Sequence, residues 1–151
     1  LVLNASGTPD EAIVHAAGRA KKEGTALVAL YVLESGQSKD AFETFTDIGF
    51  IGDKPSSEIS ESLMREYRQR GYEELGRVQI KAMEAGVDFE PQMEEGEFVS
   101  IVLSAIDRWD IGAVMLVKAK EKASFMKYFS KSVVDAIKER AKCDVEIFVE
   151  K

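Results

Sequence analysis

Three stretches of the 151-residue chain are apolar almost without interruption: "LVL" at Leu1 to Leu3, "ALVALYVL" at Ala26 to Leu33 and "DIGAVMLV" at Asp110 to Val117. Runs of this length read as strands buried on both faces, as the central strands of a parallel sheet are. Two further stretches alternate instead. "VDFEPQM" sets Val87, Phe89, Pro91 and Met93 against polar neighbours, and "DVEIFVE" does the same with Val145, Ile147 and Val149. A period of two fits a strand with one buried face, and a proline inside it places the first of these at a sheet edge.

Between the strands the period lengthens to that of a helix. Thr8, Pro9 and Glu11 supply a cap, a first-turn proline and a capping-box acid for a helix that Gly24 is placed to end. From about residue 57 to 85, Ile59, Leu63, Tyr67, Val78, Ala82 and Met83 recur at helical spacing, with Gly71 and Gly76 weakening the middle and Gly86 closing the run. "EFVSIVLSAIDRW" puts Phe98, Ile101, Val102, Ala105 and Ile106 on one face, and "SKSVVDAIKERAK" has a serine cap and a basic last turn. The stretch from Glu34 to Ser57 has no sustained period and reads as a long excursion.

Strands alternating with helices imply right-handed crossovers and a parallel sheet covered on both faces. The expected fold is an α/β doubly wound five-stranded sheet of order 3-2-1-4-5. Continuous apolar strands lie inside it and alternating ones at its edges. Ligands of such sheets sit beyond the carboxyl ends, at the switch between the first and fourth strands.

Composition leaves one domain, residues 1–151, large enough to bury a core. The chain opens within an apolar run and without methionine, so upstream residues are expected. No apolar run is long enough for a membrane span. The lone Cys143 excludes an internal disulfide and suits a reducing cytosol, and the single histidine, His15, has no nucleophile or second histidine at a motif spacing. A net charge of −7 argues against a nucleic-acid partner. The charge is uneven, however: residues 115–142 carry eight Lys or Arg against three Asp or Glu, or +5, leaving −12 elsewhere.

In order and spacing these segments resemble the universal stress protein family. "LNAS" falls where that family has "VDGS", "EAIVHAAGRAKKEG" resembles its first helix and "ALVALYVLES" its second strand. "EEGEFVSIVLSAIDRWDIGAVMLV" resembles its Gly-acidic turn, third helix and fourth strand, and "SKSVVDAIKERAKCDVEIFVEK" its closing "GSVSEKVLRHAPCPVLVVR". Nearly the whole chain is covered.

The resemblance implies a nucleotide site at the switch crevice, here degenerate, made of Asn4, Ala5, Ser6, Val32, Leu116, Ala119, Lys131 and Ser132. Family members that bind ATP carry Gly-x2-Gly-x9-Gly-Ser/Thr after the fourth strand, where bare backbone amides approach phosphate. Leu116, Ala119 and Lys131 stand at the three glycine positions with about two extra residues in the spacing, and Ser132 keeps the hydroxyl. Asn4 replaces the family's acid and Ala5 its following glycine. ATP binding in the family manner is therefore expected to be lost, with no cofactor.

Two other readings follow from the residues themselves. Lys118 and Lys120, with Lys122, Lys127 and Lys131, could hold an anion by charge, with ATP as the alternative ligand, or form a solvated basic loop. Phe125, Met126, Tyr128 and Phe129 either plug the crevice or meet a protein partner. No nucleophile-base pair is visible, and the Ser-Gly-Gly-x-Asp-Ser loop of ATP pyrophosphatases is absent, so an enzyme is not expected. The expected protein is a cytoplasmic, non-catalytic regulatory module. It pairs as a homodimer through its last strand, at Val145, Ile147, Phe148 and Val149.

Overall fold

The computed structural model describes residues 1–3, 7–34, 56–118 and 131–149, with side chains at all but 56–60, 131 and 132. The elements run α1 (Asp10–Glu23), β1 (Leu27–Leu33), α2 (Ser56–Ala85), β2 (Phe89–Glu95), α3 (Phe98–Arg108), β3 (Ala113–Lys118), α4 (Lys131–Arg140) and β4 (Asp144–Val149).

β1 pairs in parallel with β2, and β3 with β4. Val2 joins the two ladders by parallel bridges to Leu30 of β1 and Leu116 of β3. Its amide donates to the Met115 carbonyl at 2.9 Å, and the Leu3 amide donates to the Leu30 carbonyl at 2.8 Å. Across these bonds the lateral sequence is β2, β1, Val2, β3, β4. The expected first strand is thus a bridge residue between two two-stranded ladders rather than a ladder of its own.

Both sheet faces are packed, which is why β1 and β3 carry no polar alternation. Ala29, Tyr31, Leu33 and Met115 join Ile13, Ala17, Val78 and Ala82 in one core cluster. Leu30, Val32, Val114 and Leu116 join Val102, Ile106 and Ile137 in the other. Each Val, Leu, Ile or Met side chain among them contributes roughly 1.5–3 kcal/mol on burial. Among the described residues β2, with Pro91 inside it, pairs only with β1, so the proline's missing amide removes no ladder bond on its far side.

Helix ends follow local chemistry with one correction. Gly24 and Gly86 take left-handed φ of 67° and 74° after α1 and α2, where a side chain would be strained. At the start of α1 the capping position is Pro9, not Thr8, and no side chain caps it. Thr8 is held elsewhere: its amide donates to Glu74 at 3.1 Å, and its carbonyl accepts from the Arg77 guanidinium, which also meets Asp10. This clamp fixes the turn before α1 onto α2. α2 itself is continuous over 30 residues despite two glycines.

Candidate functional site

The sequence places a ligand beyond the carboxyl ends of the strands, with Val32 and Leu116 among its residues. Val32 is 6 % exposed and Leu116 fully buried, both within the core cluster shared with Ile137. Leu116 pairs with Ile147 two residues before β3 ends, so it is a strand residue rather than the first residue of a phosphate loop. Lys118 ends β3 and is exposed. Lys131 and Ser132 open α4, their side chains not described, while Asn4, Ala5, Ser6, Ala119 and Lys120 lie outside the described residues.

The resemblance marks the carboxylates at this end only as an acid trailing the second strand and a Gly-acidic turn, with no role assigned to either. Glu34, just past β1, accepts the Phe98 amide at 3.1 Å, and Glu97 accepts the Ser100 amide at 2.7 Å. These are first-turn amides of α3, the groups a helix offers to an anion. The hydrogen bond from the Ser100 amide holds the Glu97 carboxyl below the usual range. Gly96 lets the chain turn here, with its amide on the Leu33 carbonyl at 3.0 Å. The first turn of α1 carries Asp10 and Glu11, whereas that of α4 contains no acid. The sequence signals for Glu34 were its place at the end of an apolar run and its match to the acid that trails the family's second strand.

On the opposite flank, β4 is tied to α1. The Glu146 carboxylate meets His15 Nε2 at 2.6 Å and accepts from Arg19 at 2.7 Å, and the His15 ring lies 5.9 Å from that of Phe148. Burial raises the Glu146 pKa, but the hydrogen bonds with His15 and Arg19 outweigh it and leave the carboxyl below its ordinary value. His15 is therefore a surface partner of the last strand. Val145, Ile147 and Phe148 are half-buried and Val149 is exposed. Burial pushes the Cys143 thiol up, away from the reactive thiolate.

A cavity of about 370 Å³ opens at the amino ends of the strands, lined among others by Arg19, Thr25, Asp88, Trp109 and Gly112. Among the described residues the Trp109 indole N–H is a buried donor without a partner there. None of the described candidate site residues lines it. No group of His, Cys, Asp and Glu among the described residues has metal-binding geometry, and no described helix is long and apolar enough to cross a membrane.

No family model and no curated protein matches the chain. Solved structures do. Universal stress protein UspA from Lactobacillus plantarum is 15% identical with a TM-score of 0.68, covering 97% of this chain and 93% of its own. A universal stress protein family member from Burkholderia pseudomallei is 18% identical with a TM-score of 0.66, covering 97% and 91%. A universal stress protein solved in complex with cAMP is 15% identical with a TM-score of 0.62, covering 100% and 94%. The chain thus has the α/β fold of universal stress protein structures.

Proposed function

We propose that this chain is a non-catalytic regulatory module of the universal stress protein kind. It acts in the cytosol as a homodimer through protein contacts and does not bind ATP as the family's glycine-motif members do. The observation that carries this reading is the burial of Leu116, which stands at the first glycine position of the family's motif, in the core beside Ile137 and in register with Ile147. Glu34 and Glu97 match the first amides of α3 with the chain's own negative charge, so that helix end is not an open anion site either. The glycines that would open backbone to phosphate are absent from the stretch after β3. The five-stranded order 3-2-1-4-5 belongs to the same reading, since the Val2 bridges supply the neighbours it requires.

Thermal unfolding with and without magnesium and millimolar ATP tests this. A ligand at a hundredfold excess over Kd adds about 2.7 kcal/mol of stability, so an ATP-specific rise in Tm would overturn the proposal. No shift is expected.

A second reading, a nucleotide- or anion-binding switch, is favoured by the acid-free first turn of α4, which opens with Lys131 and Ser132. A structural neighbour was solved with cAMP. Stabilisation by cAMP but not by ATP in the same assay would select it.

A further inference from the structure

Three of the large apolar side chains exposed among the described residues belong to α2: Tyr72 at 60 %, Ile80 at 60 % and Met83 at 69 %. With 3.6 residues per turn, Ile80 and Met83 lie about 80° and 20° around the axis from Tyr72, so the three form one stripe. Gly76 stands inside the stripe, and a Cβ built there meets nothing within 4 Å. Glycine is a poor helix former. Gly71 in the same helix is accounted for by its contact with Tyr31 and Met93, but among the described residues Gly76 has no such neighbour. A glycine amid exposed apolar side chains suits the close approach of another backbone, because helix-axis separation is set by the side chains at the crossing.

We infer that this stripe is a self-association face, on which two copies of the chain lay their α2 helices antiparallel, crossing near Gly76. Charge selects the occupant and its direction. α2 has no basic residue in its last turn, where the helix dipole favours one, and Glu84 is exposed there. Toward the other end Arg65 is exposed, and among the described residues it joins neither the Arg68–Glu95 nor the Arg70–Glu66 ion pair. An antiparallel second copy brings each Arg65 toward the partner's Glu84 and the negative end of its helix. A parallel copy would set like charges side by side. The face is separate from the β4 edge, since α2 packs on α1, β1 and β2 whereas β4 pairs with β3.

One helix pair covers less than the roughly 800 Å² per partner of a standard interface, so the contact forms at high concentration. Sedimentation equilibrium of the full chain up to about 500 µM, well above the range where a standard interface saturates, is the test. Ile80→Glu and Gly76→Leu should each weaken the concentration-dependent association by about tenfold or more, a change of ~1.4 kcal/mol. Circular dichroism should be unchanged, because both positions have room outward. Ile147→Pro, which acts on the β4 edge, should leave this step intact. If neither α2 variant lowers the mass, or if the wild type shows no association that they affect, the inference is overturned. A stripe covered by the chain's own residues 35–55, or reserved for a different protein, would give that result.

Discussion

Gly71 of α2 and Tyr31 of β1 meet so closely that a Cβ on the glycine would stand 2.8 Å from Tyr31 Cδ1, and 2.5 Å from Met93 Cε of β2. The helix can lie this near the sheet only because position 71 has no side chain. Tyr31 is 2 % exposed, and burial pushes its phenol pKa up.

Gly71→Ala should therefore destabilise the chain although alanine is the better helix former. Overpacking costs about 1–3 kcal/mol, against a propensity gain of up to ~1 kcal/mol. Gly76→Ala, with open space, should keep only the gain. Urea unfolding of both variants at low micromolar concentration checks the contrast, and equal effects would contradict the packing described.

Leu116 shows where a sequence match and a fold diverge. Its alignment with a family glycine suggests a residue at the ligand edge, whereas the register with Ile147 puts it inside the core. Leu116→Ala should cost about 2–5 kcal/mol in unfolding free energy. It should give no gain in ATP binding by thermal shift. A mild loss, below ~1 kcal/mol, would place the side chain outside the core.

What was legible in the sequence is what short-range chemistry decides. Gly24 and Gly86 end helices because a positive φ is a local demand, and the apolar runs of β1 and β3 reflect burial from both faces. Pro91 gave an equally local signal for its strand, which pairs only with β1 among the described residues. Contacts between distant residues left no such mark. Thr8 reads as a helix cap, but Glu74 and Arg77, 66 and 69 residues away, hold its backbone instead. His15 looked idle until the fold set it beside Glu146, 131 residues on. Glu34 and Phe98 likewise meet across 64 residues. The candidate site depends on such pairs, so it was less legible than the fold.

Acid should loosen the α3 cap. Glu97 has its pKa lowered in the folded chain, chiefly by the Ser100 backbone amide. A depressed carboxyl contributes stability above its unfolded pKa and loses it as pH falls through the folded value. Glu97→Ala should cost about 1 kcal/mol at pH 7, as cap removal does. Its difference from wild type in urea midpoint should shrink as pH drops below the ordinary glutamate value of 4.5. A difference that persists unchanged at the lowest pH where both variants fold would assign the cap to another group.

The last strand should mediate dimerisation, and its backbone geometry makes that testable without breaking the fold. The Asp144 amide donates to the Gly112 carbonyl at 3.3 Å, toward β3. Amides alternate sides along a strand, so those of Val145, Ile147 and Val149 point away from β3, to the side where no described strand pairs with β4. Such an edge is a template for a second chain. Glu146, held to α1 by His15 and Arg19, keeps its charge on the helix-covered face rather than along the open edge. Antiparallel pairing of two β4 strands about a two-fold axis would satisfy these amides and close at two subunits. Ile147→Pro removes one outward donor and leaves the bonds to β3 in place, as prolines on edge strands do. Analytical ultracentrifugation at micromolar concentration should find a dimeric wild type and a more monomeric, still folded Ile147→Pro. A monomeric wild type, or a dimer that ignores this proline, would move the interface away from β4.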